Sequence, residues 1–289
     1  NYTKGSGFFE QFKAEENASN FNNLIVDASD LIVRRWLDND FYVANFNINY
    51  SKEDLNIISG VSYSNYTGDH FGEVIWGSDL ANNTSIRDRY YFSDALKTDL
   101  SFFSKVTFTI SRKLSGYLDL QGRFVSYQTS GLTSDRVPID VDANFNFFNP
   151  KAGFIYRMAD DSNLYFSFAR AHREPNRNDF ENGVSTAERL DDFELGWRYK
   201  SERFRLNANG YFMNYTDQLV LTGAIDDVGA PIRATSGKSH RLGLELDTDY
   251  QLSESFSIQS NAALSTNRNQ DFNAFVFGEL KNLGDTPLS

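Results

Sequence analysis

Residues of alternating polarity run almost the whole length of this chain, and that period of two is what most limits its fold. In Leu118-Asp119-Leu120-Gln121-Gly122-Arg123-Phe124 one parity is apolar or small and the other is charged or amide. Phe193-Glu194-Leu195-Gly196-Trp197-Arg198-Tyr199 repeats the pattern, as does Phe204-Arg205-Leu206-Asn207-Ala208-Asn209-Gly210-Tyr211-Phe212. The cleanest run, Leu242 to Tyr250, sets Glu245, Asp247 and Asp249 on one face. Successive strand residues point to opposite sides of a sheet, so each run reads as a strand with one apolar face. No segment sustains the 3.6-residue period of a helix.

The connections sort by length. Short polar turns fall at Lys52-Glu53-Asp54, Lys113-Leu114-Ser115, Ala159-Asp160-Asp161-Ser162, Ser201-Glu202 and Ser253-Glu254-Ser255. Between them lie longer stretches rich in Asn, Asp, Gly and Ser, near 16–30, 68–90, 130–144, 174–187 and 223–238. Alternating short turn and long loop gives about eleven antiparallel strands in up-and-down order, with the turns on one side and the loops on the other. A soluble sandwich also alternates, but its strands average ~5–6 residues and its connections do not sort by parity. Several runs here reach ~10 residues, enough to cross a bilayer at a tilt. Rings are plentiful, 26 Phe, 15 Tyr and 3 Trp. They gather where strand ends are expected: Phe41 and Tyr42, Tyr63 and Tyr66, Tyr90-Tyr91-Phe92, Tyr199, Tyr211-Phe212 and Tyr250. Paired aromatic girdles explain that spacing, so the pattern favours a partial transmembrane β-barrel.

Composition removes other classes. The net charge is -11 and the pI near 4.8, against a nucleic-acid binder with a basic surface. There is no Cys, hence no disulfide, thiolate metal site or thiol nucleophile. No apolar stretch is long enough for a spanning helix, which leaves a barrel untouched because its strands carry little hydropathy signal. Residues 1–5 lead into no signal-peptide-like apolar region.

Six segments in order resemble the barrel of TonB-dependent outer-membrane receptors, particularly the Bacteroidota type. They begin at Arg34-Arg35-Trp36-Leu37-Asp38-Asn39-Asp40-Phe41-Tyr42 and Gly68-Asp69-His70-Phe71-Gly72-Glu73-Val74-Ile75-Trp76. Asn149-Pro150-Lys151-Ala152-Gly153-Phe154 leads on to Leu164–Arg170, and the run continues through Ala171-His172-Arg173-Glu174-Pro175-Asn176 to Phe180. Glu188–Gly196 and Asn209–Leu219 complete the set. The resemblance covers essentially residues 1–289. It implies a Gram-negative outer-membrane protein, surrounded by lipid, that takes up a scarce bulky solute with the TonB complex. A ferric siderophore is the first substrate class, followed by cobalamin, haem or oligosaccharide. The family's plug domain and TonB box have no counterpart in these residues, and its barrel has about twice the strands. The chain is therefore expected to be part of a longer receptor. A passive porin and a soluble β-rich binding module are the rival readings.

Candidate ligand-binding residues crowd one strand end: Arg170, His172, Arg173 and Arg177, with Glu174 among them. Arg recognises carboxylates bidentately, so a cationic funnel for an anionic ligand is one reading. Pairing of these arginines with Glu174, Asp179, Glu181 and Glu188 is the other. Arg123, Glu194, Arg198, Arg205, Glu245, Asp247 and Asp249 are expected to line a hydrated lumen. His70, His172 and His240 show no metal-ligand spacing, and no metal or cofactor is expected. No Gly-rich phosphate loop or nucleophile elbow appears, so nothing supports an enzyme.

Overall fold

Short connections and alternating runs place sequential strands side by side, and a computed structural model shows that order. It describes side chains for residues 31–77, 85–221 and 232–270, and backbone alone in the strands that fall outside those ranges. The chain opens with β1 (Gly7–Lys13) and a hairpin of β2 (Ser19–Phe21) and β3 (Leu24–Val26). Long strands follow: β4 (Asp30–Lys52), β5 (Leu55–Gly77), β6 (Arg89–Ser111), β7 (Leu114–Leu132) and β8 (Pro138–Ala159). Next come β9 (Ser162–Arg173), the five-residue helix α1 (Arg177–Glu181), β10 (Glu188–Lys200) and β11 (Phe204–Thr216). A hairpin of β12 (Leu219–Ile225) and β13 (Pro231–Thr235) precedes β14 (Lys238–Ser253) and β15 (Phe256–Asn269). A last hairpin joins β16 (Asn273–Val276) and β17 (Glu279–Asn282). The main sheet has eleven strands in the order β1-β4-β5-β6-β7-β8-β9-β10-β11-β14-β15.

Four of the five short turns stand where the sequence placed them, because a hairpin turn is a local decision; the one expected over 113–115 falls at residues 112–113. The loops differ. Strand β5 runs on to Gly77 and β6 starts at Arg89, so residues 68–77 and 89–90 of the expected loop are strand. Only residues 133–137 separate β7 from β8, where a loop over 130–144 was expected. Phe41, Tyr42, Tyr63 and Tyr66 consequently lie inside 23-residue strands rather than at strand ends. Asn, Asp, Gly and Ser stand inside these strands, so composition alone misplaced the boundaries.

The chain packs as two compact units, Asn1–Ala44, Ser62–Leu100 and Phe124–Asn144 in one, and the remaining residues in the other. In the first, Leu31, Val33 and Val74 form a small buried cluster with Tyr90 against it. Glu73 accepts from Arg34 at 3.2 Å and from the Trp36 indole at 3.1 Å.

The second unit has a sharply two-sided sheet. Across six strands one rung reads Phe154, Phe166, Leu195, Gly210, Leu244 and Leu264, every member opposite the next in register. The rung beside it reads Phe168, Phe193, Phe212 and Leu242. Leu195 is 61%, Leu244 45% and Leu264 74% accessible, and Phe168 is half-buried. Among the described residues no second layer covers this face, which a sandwich would require. On the apolar parity of this unit's runs Phe46, Ile48, Leu120, Phe166, Leu195, Trp197, Leu244 and Ile258 are exposed, as is Phe124 in the first unit. Leu206 is half-buried beside Tyr199. Near the turns this face ends in rings: Trp197, Tyr199, Phe204 and Tyr250 contact one another in sequence, with centroids 6.2–6.3 Å apart.

Candidate ligand face and polar wall

The opposite parity of the same strands carries the polar residues. Glu194 stands opposite Ser167 and Tyr211; Arg198 opposite Asn163 and Asn207. Glu245 faces Asn209, Asp247 faces Asn207, and Asp249 faces Arg205. Register thus gathers Glu194, Arg198, Arg205, Glu245, Asp247 and Asp249 on one polar face. Arg205 donates to Asp249 at 2.8 Å, an exposed pair of the kind that contributes ~0–1 kcal/mol. The Arg198 guanidinium lies 4.6 Å from the centroid of the Tyr165 ring, whose hydroxyl donates to Asn209 at 3.0 Å.

Three tyrosines on this face lie against glycines of the following strand: Tyr117 on Gly153, Tyr165 on Gly196 and Tyr211 on Gly243. A Cβ at Gly196 or Gly243 would collide with the ring. Glycine here makes room for a flat aromatic side chain.

Beyond the apolar rungs, on the loop side, ion pairs take over. Arg170 donates twice to Asp191, at 2.5 and 3.1 Å, and Arg189 approaches the same carboxylate at 3.6 Å. Arg173 reaches Glu188 at 3.2 Å, and Glu188 also accepts from the Leu219 backbone N–H at 2.8 Å. Arg177 and Glu181, one turn apart on α1, pair at 2.7 Å. Arg123 makes a two-bond fork with Glu174, at 2.7 and 2.8 Å, with the Glu174 side chain 8% exposed. Each arginine the sequence nominated for a ligand therefore holds a carboxylate, as does Arg123. His172 meets Asn149 at 2.7 Å and stacks on Phe147 at 5.0 Å.

Asp179, which the sequence offered only as a partner for Arg170, Arg173 or Arg177, and Arg233, which it did not single out, organise this region. Asp179 is 3% exposed and anchors α1 through a capping box with Asn176. Arg233 of β13 grips the same carboxylate with two bonds, at 2.9 and 3.0 Å. Asn176-Arg177-Asn178-Asp179 carries a readable cap signal; its partner 54 residues away does not. Among the described residues, no three His, Asp or Glu side chains group as a metal site.

An antiparallel sheet in sequence order, apolar and uncovered on one face and charged on the other, is how the wall of a transmembrane receptor barrel is built. Residues 1–288 match the family model for the TonB dependent receptor-like β-barrel, and the chain belongs to that family of Gram-negative outer-membrane receptors. Among solved structures it is similar to the copper transporter OprC, with 14% identity, a TM-score of 0.66, and 84% of this chain and 42% of that one covered. It is also similar to the siderophore receptor PiuA from Acinetobacter baumannii, at 16% identity and TM-score 0.58, covering 89% and 41%. The ferric yersiniabactin uptake receptor FyuA from Yersinia pestis matches at 15% and 0.55, covering 83% and 37%. The chain thus spans about two fifths of the length of these structures. No curated protein sequence matches it.

Proposed function

We propose that this chain is part of the barrel wall of a longer TonB-dependent receptor for active uptake of a scarce, bulky solute, a ferric siderophore before cobalamin, haem or oligosaccharide. The observation that carries this reading is the division of one sheet into an uncovered apolar face and a charged face, rung by rung from β8 to β15. The apolar face would meet outer-membrane lipid. Glu194, Arg198, Arg205, Glu245, Asp247, Asp249 and Arg123 would face a lumen closed by a plug, through whose TonB box the inner-membrane complex acts. Of the similar structures one is named a siderophore receptor, one a ferric yersiniabactin uptake receptor and one a copper transporter, which supports the substrate order. The six sequence segments favour a Bacteroidota origin.

The test is uptake by cells expressing the full-length receptor, with and without TonB, from a panel of ferric siderophores. Energy-dependent uptake lost without TonB is expected. Large open channels formed by the intact receptor in a planar bilayer would favour a porin and overturn the reading.

The ligand face belongs to the same proposal, at the loop that opens from Arg170 to Arg177. Because its arginines hold Asp191, Glu188 and Glu181, they shape that loop, and an anionic ligand would compete for them. Arg173→Gln with Arg177→Gln should weaken ligand affinity while leaving surface abundance near normal. Normal affinity for every anionic candidate would remove the site.

A further inference from the structure

Three polar side chains from three neighbouring strands, Gln121 of β7, Asn149 of β8 and His172 of β9, form a relay of hydrogen bonds. The Asn149 amide N–H donates to the Gln121 carbonyl oxygen at 3.0 Å. That commitment turns the Asn149 carbonyl oxygen toward His172, where it meets Nδ1 at 2.7 Å. A carbonyl oxygen only accepts, so Nδ1 carries the proton, and in the neutral ring Nε2 is left as a bare acceptor. Asn149 is 5% exposed and His172 is half-buried. Phe147 covers one face of the imidazole, so the ring is held on a face and an edge. Among the described residues nothing bonds to Nε2. Beside it, Arg189 stands opposite His172 and Arg170 two residues before it, and these two cations share one carboxylate, Asp191. A bare acceptor therefore adjoins a pair of guanidinium groups that is only half neutralised.

We propose that Gln121 and Asn149 are positioning residues that fix His172 with its proton on Nδ1, so that Nε2 selects anionic ligands that also carry an O–H or N–H group. The inference deepens the proposed ligand face and rests on that reading. A ligand hydroxyl or amide would donate to Nε2 while its anionic group meets the charge left over by Arg170 and Arg189. Phe147 already packs the ring, so the relay is not needed to hold it; what the relay adds is the choice of nitrogen. Its direction is set at Gln121. A donor at that position would turn the Asn149 N–H toward His172, move the proton to Nε2 and favour ligands that offer acceptors alone. A site for the anion only would be served by the guanidinium groups and would need no oriented imidazole.

The experiment records solid-state nitrogen NMR spectra of the full-length receptor, isotope-labelled at histidine, in lipid vesicles at about pH 8, where an ordinary imidazole is neutral. Loss of a signal in His172→Gln assigns the residue. A protonated Nδ1 and a bare Nε2 are expected, and the opposite tautomer overturns the inference. Malate and succinate, dianions that differ by one hydroxyl, are the binding probes. Malate should bind about fivefold more tightly, the factor for one net hydrogen bond. Gln121→Lys, which can only donate, should reverse the tautomer and remove the preference. Gln121→Glu, which can only accept, should keep both. A purely structural role would make the two variants fail alike, and that result overturns the proposal. So does equal binding of the probes, or binding of neither, by the unaltered receptor. Heat-modifiable gel mobility reports whether each variant is folded; if Gln121→Lys is not, the tautomer and the two probes on the unaltered receptor decide. Absence of TonB-dependent uptake would instead fail the receptor reading, a result distinct from the wrong tautomer at His172.

Discussion

The two ends of the strands in the larger unit are held by different forces. At the turn end, Trp197, Tyr199, Phe204 and Tyr250 make a line of rings, with the Trp197 indole donating to Ser162 at 2.9 Å. At the loop end, guanidinium–carboxylate pairs predominate, most of them joining residues far apart in sequence. Turns of two or three residues already fix register, so the turn end needs only side chains suited to an interface. Long connections fix nothing, and there the chain is held by specific pairs such as Arg233–Asp179. Position is set locally at one end and by distant partners at the other.

The comparison presumes an apolar band between the two ends, and the largest effect should come from breaking it. Leu244→Arg places a charge at its centre and should cost about 2–4 kcal/mol of folding stability in lipid vesicles. Denaturant titration of the full-length receptor measures this; a neutral outcome would mean the ends flank no membrane. Next, Asp179→Ala leaves Arg233 without its carboxylate and removes the Asp179 half of the α1 capping box. A fully buried pair would lose more, but the Arg233 side chain is 24% exposed, so about 2 kcal/mol is expected. Hydrogen exchange should show the loss confined to residues 176–183 and 231–235. The turn-end counterpart, Phe204→Ala, removes two ring contacts and should cost about 1 kcal/mol without faster exchange in the loops.

This contrast also explains what the sequence could disclose. Turns at residues 53–54 and 253–255 are decided by neighbouring residues, and the apolar rungs by a period of two, so both are legible. The extents of β5, β6 and β7 are not, since the Asn, Asp, Gly and Ser inside these strands read as loop. The charges of the candidate site can be read one by one. Their pairings cannot, because Arg123–Glu174 and Arg233–Asp179 close over 51 and 54 residues. Arg170 looks like a free cation in the sequence only because its partner, Asp191, sits on the next strand.

The tyrosines laid on Gly153, Gly196 and Gly243 have a mechanical consequence. Each ring rests in the space that a neighbouring side chain would otherwise fill, so the charged face loses relief where it might have carried ridges. Ridges interlock with whatever rests against them; flattened rings offer contact area without teeth. A body seated on such a surface can be held by hydrogen bonds and still be drawn along it with little steric resistance. Friction, as much as affinity, is written into the spacing of tyrosine and glycine.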